Sequence, residues 1–446
     1  MAKRCTQPAR SPSKARSPFR IRSSRLAPMN IALTYVSAWA PICLFPRSIP
    51  ELCQKDTPNC SLQGETEGAE DASGTADFPH PAQSIHMTTA FVYDPFERNH
   101  SFPGHPECRE RMESTWTLLQ SDGILDSLTR LPNSPAPLDP ILAVHNAAYV
   151  EQLQEICREI EESASDGNTI PQSWNQSALW LDPDTYVLHD SWKASLRAVG
   201  GLLQLTDAVM NGAAGNGFAM VRPPGHHARP NNAKGFCLFG NVAVAARHAQ
   251  QSHGANRVLI VDFDVHHGNG TEEMFYDDPS VLFVSIHQYP HYPFSGSIDE
   301  IGLGPGEGFN VNIPFPAGVG DAGYRAALQQ LVAPLAHKFG PDVIFLSAGF
   351  DGHWMDPLSG HRLSVSGYAT LVEDLLTLAQ DLCGGRLICT LEGGYDLNAL
   401  PHCILSTLRV LSRNPAGISD PFGTVEGDPR AAGKVISTVN RRLGIR

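Results

Sequence analysis

From residue 87 onward the chain repeats one pattern: a short apolar run, then a longer segment whose apolar residues recur every three or four positions. The runs are TTAFVY (88–93), GFAMV (217–221), RVLIVDFD (257–264), SVLFVSIH (280–287), FNVNI (309–313), DVIFLSAG (342–349) and RLICTLEGG (386–394). Several are continuously apolar rather than alternating, as expected of parallel strands covered on both faces. Helical periodicity marks 191–210, 241–251, 322–339 and 365–383. Strands and helices taken in turn imply an open parallel α/β sheet. In such sheets chemistry gathers beyond the C-terminal ends of the strands, so the residues just after each apolar run are the place to look.

The first 86 residues have a different character. Residues 1–50 hold nine basic residues and no acid, the first being Glu51. Arg- and Ser-rich, acid-free composition is that of an organelle targeting segment, with a basic disordered tail as the plainer alternative. Plastid is the first expectation and mitochondrion the second; cytoplasm or nucleus follows if the segment is no signal. The apolar stretch 26–45 is interrupted by Pro28 and Pro41 and is too short for a stable membrane span. Residues 51–86, polar, acidic and poor in large apolar side chains, read as a disordered linker. The third segment, 87–446, is then the globular domain.

Net charge is −13 overall, but without residues 1–50 the balance is 24 basic against 46 acidic residues. Such a body repels phosphates and excludes direct nucleic-acid binding, while cationic substrates such as lysine-rich tails or polyamines suit it. The ten cysteines are scattered without a CxxC pair, which excludes a zinc finger or disulfide framework.

Four polar clusters follow strand candidates. In Asp262-Phe263-Asp264-Val265-His266, strand alternation puts Asp262, Asp264 and His266 on one face. Two carboxylates and an imidazole at the end of an apolar run need a cation between them, unless that end is solvated. Asp351, after DVIFLSAG, could complete a set with Asp264 and His266. Three protein ligands with one open position characterise a catalytic zinc, although alone Asp351 would be an ordinary turn residue. Tandem His226 and His227 in RPPGHHARP can supply a general base and an electrostatic partner, with Asp262 and Asn269 to fix their tautomers. Tyr395, delivered by Gly393-Gly394, can donate to a developing oxyanion. In isolation these last two clusters would be a surface loop and a turn tyrosine.

Together these residues resemble the histone deacetylase superfamily, in particular its class II-like branch. The matching stretches are FVYDPFERNHSFPGHPECRERM (91–112), MVRPPGHHARPNNAKGFCLFGNVAVAARHA (220–249), VLIVDFDVHHGNGTEEMFY (258–276), VSIHQYP (284–290), SAGFDGHWMDPLSG (347–360) and LEGGYDL (391–397). The resemblance implies a single three-layer α/β/α domain of arginase/deacetylase type around a mostly parallel sheet. It implies one catalytic Zn2+ on Asp264, His266 and Asp351. His227 would act as general base and then acid, paired with Asn269, the class II-like choice. His226 would pair with Asp262, and Tyr395 would polarise the acyl carbonyl. Phe236 matches one wall of a substrate channel. The loop QYPHYPFSG departs from the family in spacing, so Phe294 or Tyr292 supplies the second wall. A structural K+ would map to Asp262, Asp264, His266, Ser285 and Ile286. The implied activity is hydrolysis of acetyl-lysine in proteins to lysine and acetate. Leu358 follows Asp356-Pro357, where the polyamine-preferring branch has a glutamate, and favours a neutral acyl-lysine stem. Small acetylated amines, acetylpolyamine or N-acetylserotonin, are the alternative substrates. The oligomeric state has no expectation attached.

Overall fold

The computed structural model describes residues 88–165, 178–414 and 417–444, so the expected targeting segment and linker lie outside the described residues. One sheet of eight strands organises the chain. In chain order its strands are β1 (Thr89–Val92), β2 (Thr129–Arg130), β5 (Asn216–Ala219), β6 (Val258–Asp262), β7 (Val281–Gln288), β8 (Asn310–Phe315), β9 (Val343–Ala348) and β10 (Leu387–Leu391). They lie side by side in the order β2-β1-β5-β10-β9-β6-β7-β8, and all seven pairings are parallel. A separate antiparallel pair joins β3 (Leu179–Trp180) to β4 (Tyr186–Val187).

Successive side chains along each strand enter opposite layers, as period-two alternation requires. Leu259, Val261, Val284, Ile286, Ile344, Leu346 and Cys389 face one layer. That layer contains α1 (Glu110–Asp122), α9 (Val365–Cys383), α10 (Ala399–Leu411) and α11 (Pro429–Leu443). Val258, Ile260, Phe283, Val343, Phe345 and Ile388 face the other, built by α4 (Ser191–Met210) and α5 (Asn241–His253). The result is three layers around a mostly parallel sheet, as expected.

The helical segments 191–210 and 365–383 coincide with α4 and α9. The segment 322–339, read as one helix, is divided into α7 (Asp321–Ala327), a π-helical turn at Leu328–Val332 and α8 (Ala333–Phe339). Pro334 accounts for the break: it has no N–H to give and its ring crowds the preceding turn, which a wider π turn relieves. Helices α2 (Leu138–Leu142), α3 (Ala147–Ser165) and α6 (Asn269–Phe275) complete the set. No helix among the described residues is long and apolar enough to cross a membrane.

Candidate active site

Four neighbouring strands in the middle of the sheet, β5, β10, β9 and β6, each deliver one polar loop from their C-terminal ends. β6 ends at Asp262, two residues short of the expected strand. The backbone there turns instead of running on: Asp264 N donates to Oδ1 of Asp262 at 3.0 Å, and His266 N donates to Oδ1 of Asp264 at 2.8 Å. Asp264 and His266 therefore belong to a turn that folds back over the strand end.

β9 ends at Ala348 and presents Asp351 three residues later. The His266 Nδ1 atom lies 3.1 Å from Asp264 Oδ1 and 3.0 Å from Asp351 Oδ2. One ligand atom from each of the three residues lies within 4.8 Å of the others, and all three residues are buried. Burial would raise the Asp264 carboxyl, but the imidazoles of His226 and His266 outweigh it and hold it far below the usual carboxylate range. Asp351 goes the other way: burial, then the charge of Asp264, push it up to about 6. Two carboxylates so close in a dry site repel each other, and a divalent cation removes that cost.

The surrounding backbone leaves room for these carboxylates and little else. A Cβ on Gly349 would stand 2.0 Å from Asp264 Oδ2, and one on Gly393 would stand 2.2 Å from Asp351 Oδ2. The donor set of one imidazole and two carboxylates fits zinc or a similar first-row ion.

β5 leads into the tandem histidines. Nδ1 of His226 is 2.9 Å from Asp262 Oδ2, and Nδ1 of His227 is 2.7 Å from Asn269 Oδ1. The two rings lie 4.1 Å apart. Burial alone would depress His226, yet Asp264 and Asp262 hold its imidazole well above its ordinary range. His227 is held well below by burial, reinforced by His226 and His266. Adjacent histidines thus carry opposite charge preferences, one partnered by a carboxylate and the other by a neutral amide.

β10 supplies Tyr395, whose backbone N donates to Asp356 Oδ2 at 2.7 Å. Its ring meets Phe236 edge-on at 5.7 Å, and the Arg111 guanidinium lies over it at 4.9 Å. Tyr292 sets its ring edge-on to His227 at 5.2 Å. Phe294, the other expected wall residue of the same loop, is 77% exposed. Leu358 is half-buried; its carbonyl lies 3.0 Å from Nε2 of His291, whose ring stacks on His266 at 5.0 Å. Ser285 and Ile286 lie on β7 beside the end of β6, Ser285 in register with Asp262.

Several residues here had no role in the sequence reading. Arg111 donates to the carbonyls of Gly394 and Glu392, both at 2.6 Å, bracing the loop that carries Tyr395. Arg222 is buried against Glu107. Glu392 accepts from the backbone N–H groups of Gly225 and His226 at 2.7 and 3.1 Å. Arg222 and Glu392 signal themselves in the sequence as charges inside a Pro/Gly-framed or apolar motif, whereas Arg111, among Arg109, Glu110 and Glu113, does not stand out.

The histone deacetylase domain model matches residues 105–411. The chain is 39% identical over 323 residues to "Histone deacetylase 14, chloroplastic" of Arabidopsis thaliana, covering 70% of this chain and 74% of that protein. It is 37% identical over 339 residues to "Histone deacetylase 10, chloroplastic" of Oryza sativa subsp. japonica, covering 71% and 72%. A solved structure, "Crystal Structure of HDA15 HD domain", superposes with a TM-score of 0.70 at 33% identity, over 80% of this chain and 94% of that one. With its parallel sheet and the four loops that meet above it, the chain belongs to the histone deacetylase family of hydrolases.

Proposed function

We propose that this chain is a zinc-dependent deacetylase that hydrolyses the N-acetyl amide of acetyl-lysine in proteins, releasing lysine and acetate. The observation that carries the proposal is the convergence of Asp264, His266 and Asp351 beside a histidine kept neutral. These three residues would hold the zinc, which when bound supplies a Lewis acid for the acyl oxygen and acidifies a water molecule.

The chain's own groups do the rest. Asn269 Oδ1 accepts from Nδ1 of His227, which leaves the lone pair on Nε2 to take a proton from the attacking water. His226, with Asp262 behind it, keeps positive charge next to His227 and favours return of that proton to the leaving amine. Tyr395 stays protonated, its phenol pushed well above its ordinary range by burial, so its hydroxyl can donate to the developing oxyanion. Phe236 and Tyr292 form the walls that would flank an acyl-lysine stem; the exposure of Phe294 suits the channel mouth better. Leu358, a neutral side chain beside that passage, supports a neutral stem rather than a cationic polyamine. A structural K+ would draw on Asp262, Asp264, His266, Ser285 and Ile286 around the paired ends of β6 and β7. Plastid residence is supported by the relatives named chloroplastic and by the acid-free leader.

The test is parallel turnover of an acetyl-lysine peptide, an acetylpolyamine and N-acetylserotonin, before and after metal chelation. Acetate release from the peptide, lost on chelation and restored by zinc, is the expected result. Turnover confined to the small amines would replace the proposed substrate, and turnover indifferent to chelation would sink the metal assignment.

A further inference from the structure

A second meeting of imidazoles and a carboxylate lies between two helices of the α4/α5 layer. Asp207 is in the last turn of α4, and His248 and His253 are in the last two turns of α5. Nε2 of His248 and Nε2 of His253 each lie 2.7 Å from the same atom, Asp207 Oδ1. The two rings meet edge-on at 5.5 Å. Among the described residues, two sets of three such groups bring ligand atoms within 4.8 Å of one another: the active-site trio and this one.

We propose that Asp207, His248 and His253 form a second metal site, one that takes a late first-row divalent ion such as zinc and ties α4 to α5. Two imidazoles and one carboxylate suit such ions, whereas calcium and magnesium demand mostly oxygen ligands. The present contacts are hydrogen bonds, and two N–H groups share one acceptor oxygen. With zinc–ligand bonds of about 2.0–2.2 Å, tetrahedral ligand atoms stand roughly 3.4 Å apart, so each contact has to open by less than about 1 Å. Asp207 is free to make that adjustment, since its side chain is 46% exposed against 16% and 12% for the histidines. The same exposure leaves the outward positions of the ion to water.

Ser252 adds an argument from protons. Its Oγ lies 3.1 Å from Nδ1 of His248. To bind metal, Nε2 must give up its hydrogen, and the imidazole then carries it on Nδ1. A hydroxyl can accept there as readily as it donates, so Ser252 supports either tautomer and can orient the ring as a ligand. The site is separate from the strand-end chemistry, and its filling stabilises the fold without altering turnover.

The experiment dialyses the full chain against zinc, counts bound metal, and records Tm with and without the ion. The parent is compared with the His248→Ala/His253→Ala double variant. Expected are one bound equivalent fewer in the double variant, unchanged turnover, and loss of a zinc-dependent rise in Tm of about 3 °C. Should the double variant misfold, Asp207→Asn, which preserves shape and hydrogen bonding but weakens ligation, gives the same reading. Equal zinc content and an equal Tm response in parent and variant overturn the proposal and leave a hydrogen-bonded triad only.

Discussion

Nδ1 of His227 lies 2.7 Å from the amide oxygen of Asn269, an acceptor that carries no charge. That neutrality matters because burial, then the charges of His226 and His266, already hold the His227 imidazole well below its ordinary range. A divalent ion nearby would push the same way. A base held low stays deprotonated, and therefore active, down to acidic pH.

Replacing that amide by a carboxylate reverses the balance. Asn269→Asp stabilises protonated His227, raises its pKa and moves the acid limb of kcat/KM to higher pH. Activity at pH 6 should fall several-fold more than activity at pH 8. A profile whose acid limb does not move would show that His227 is not the base.

Tyr395→Phe removes the one phenol positioned by the β10 loop while keeping the ring that packs on Phe236. Loss of an oxyanion donor costs about 10²–10³-fold in kcat. Zinc content and KM for an acetyl-lysine peptide should change little. Near-normal kcat in this variant would remove the tyrosine from the mechanism.

How the site could be read in the sequence, and where the reading stopped, follows from distance along the chain. Asp262, Asp264 and His266 announce themselves because charges rarely end an apolar run without purpose. The strand alternation used to group them was not how they meet: the strand stops at Asp262 and successive turns carry Asp264 and His266 inward. α4 and α9 were legible from periodicity, whereas the division of 322–339 depended on Pro334, whose kink depends on the local space for a π turn. The choice between Tyr292 and Phe294 was open because loop backbone decides it, and no periodicity governs a loop. Arg111 was silent and Asp356 served only to place Leu358, since the contacts that matter reach backbone atoms far away in sequence.

Asp356 makes a prediction of its own. Its two oxygens accept from the backbone N–H groups of Tyr395 at 2.7 Å, Asp396 at 3.2 Å and Leu358 at 2.9 Å, and the residue is buried. Asp356→Ala removes the acceptor of three half-buried backbone donors, each such hydrogen bond contributing about 0.5–1.5 kcal/mol net. A lower Tm is expected, together with a fall in kcat that exceeds any change in KM, because Tyr395 loses the anchor that aims it. Circular dichroism melts and steady-state kinetics on the same preparation separate the two effects. A variant that loses stability but keeps full kcat would limit Asp356 to a structural role.

Gly393 gives the sharpest separation between fold and metal binding. A Cβ there would stand 2.2 Å from Asp351 Oδ2 and 2.6 Å from Asp264 Oδ2, while its N–H donates to Asp264 Oδ2 at 2.8 Å. Its neighbour Gly394 has φ +116° and needs glycine for conformational reasons, but Gly393 does not share that backbone conformation. Gly393→Ala therefore acts by displacing two carboxylates rather than by straining the chain. The expected variant folds, loses the one metal equivalent proposed for Asp264, His266 and Asp351, and loses acetate release together. Metal analysis beside a melting curve checks it: a zinc stoichiometry equal to the parent's in an inactive Gly393→Ala enzyme, rather than one equivalent fewer, would mean that the two carboxylates do not hold the ion.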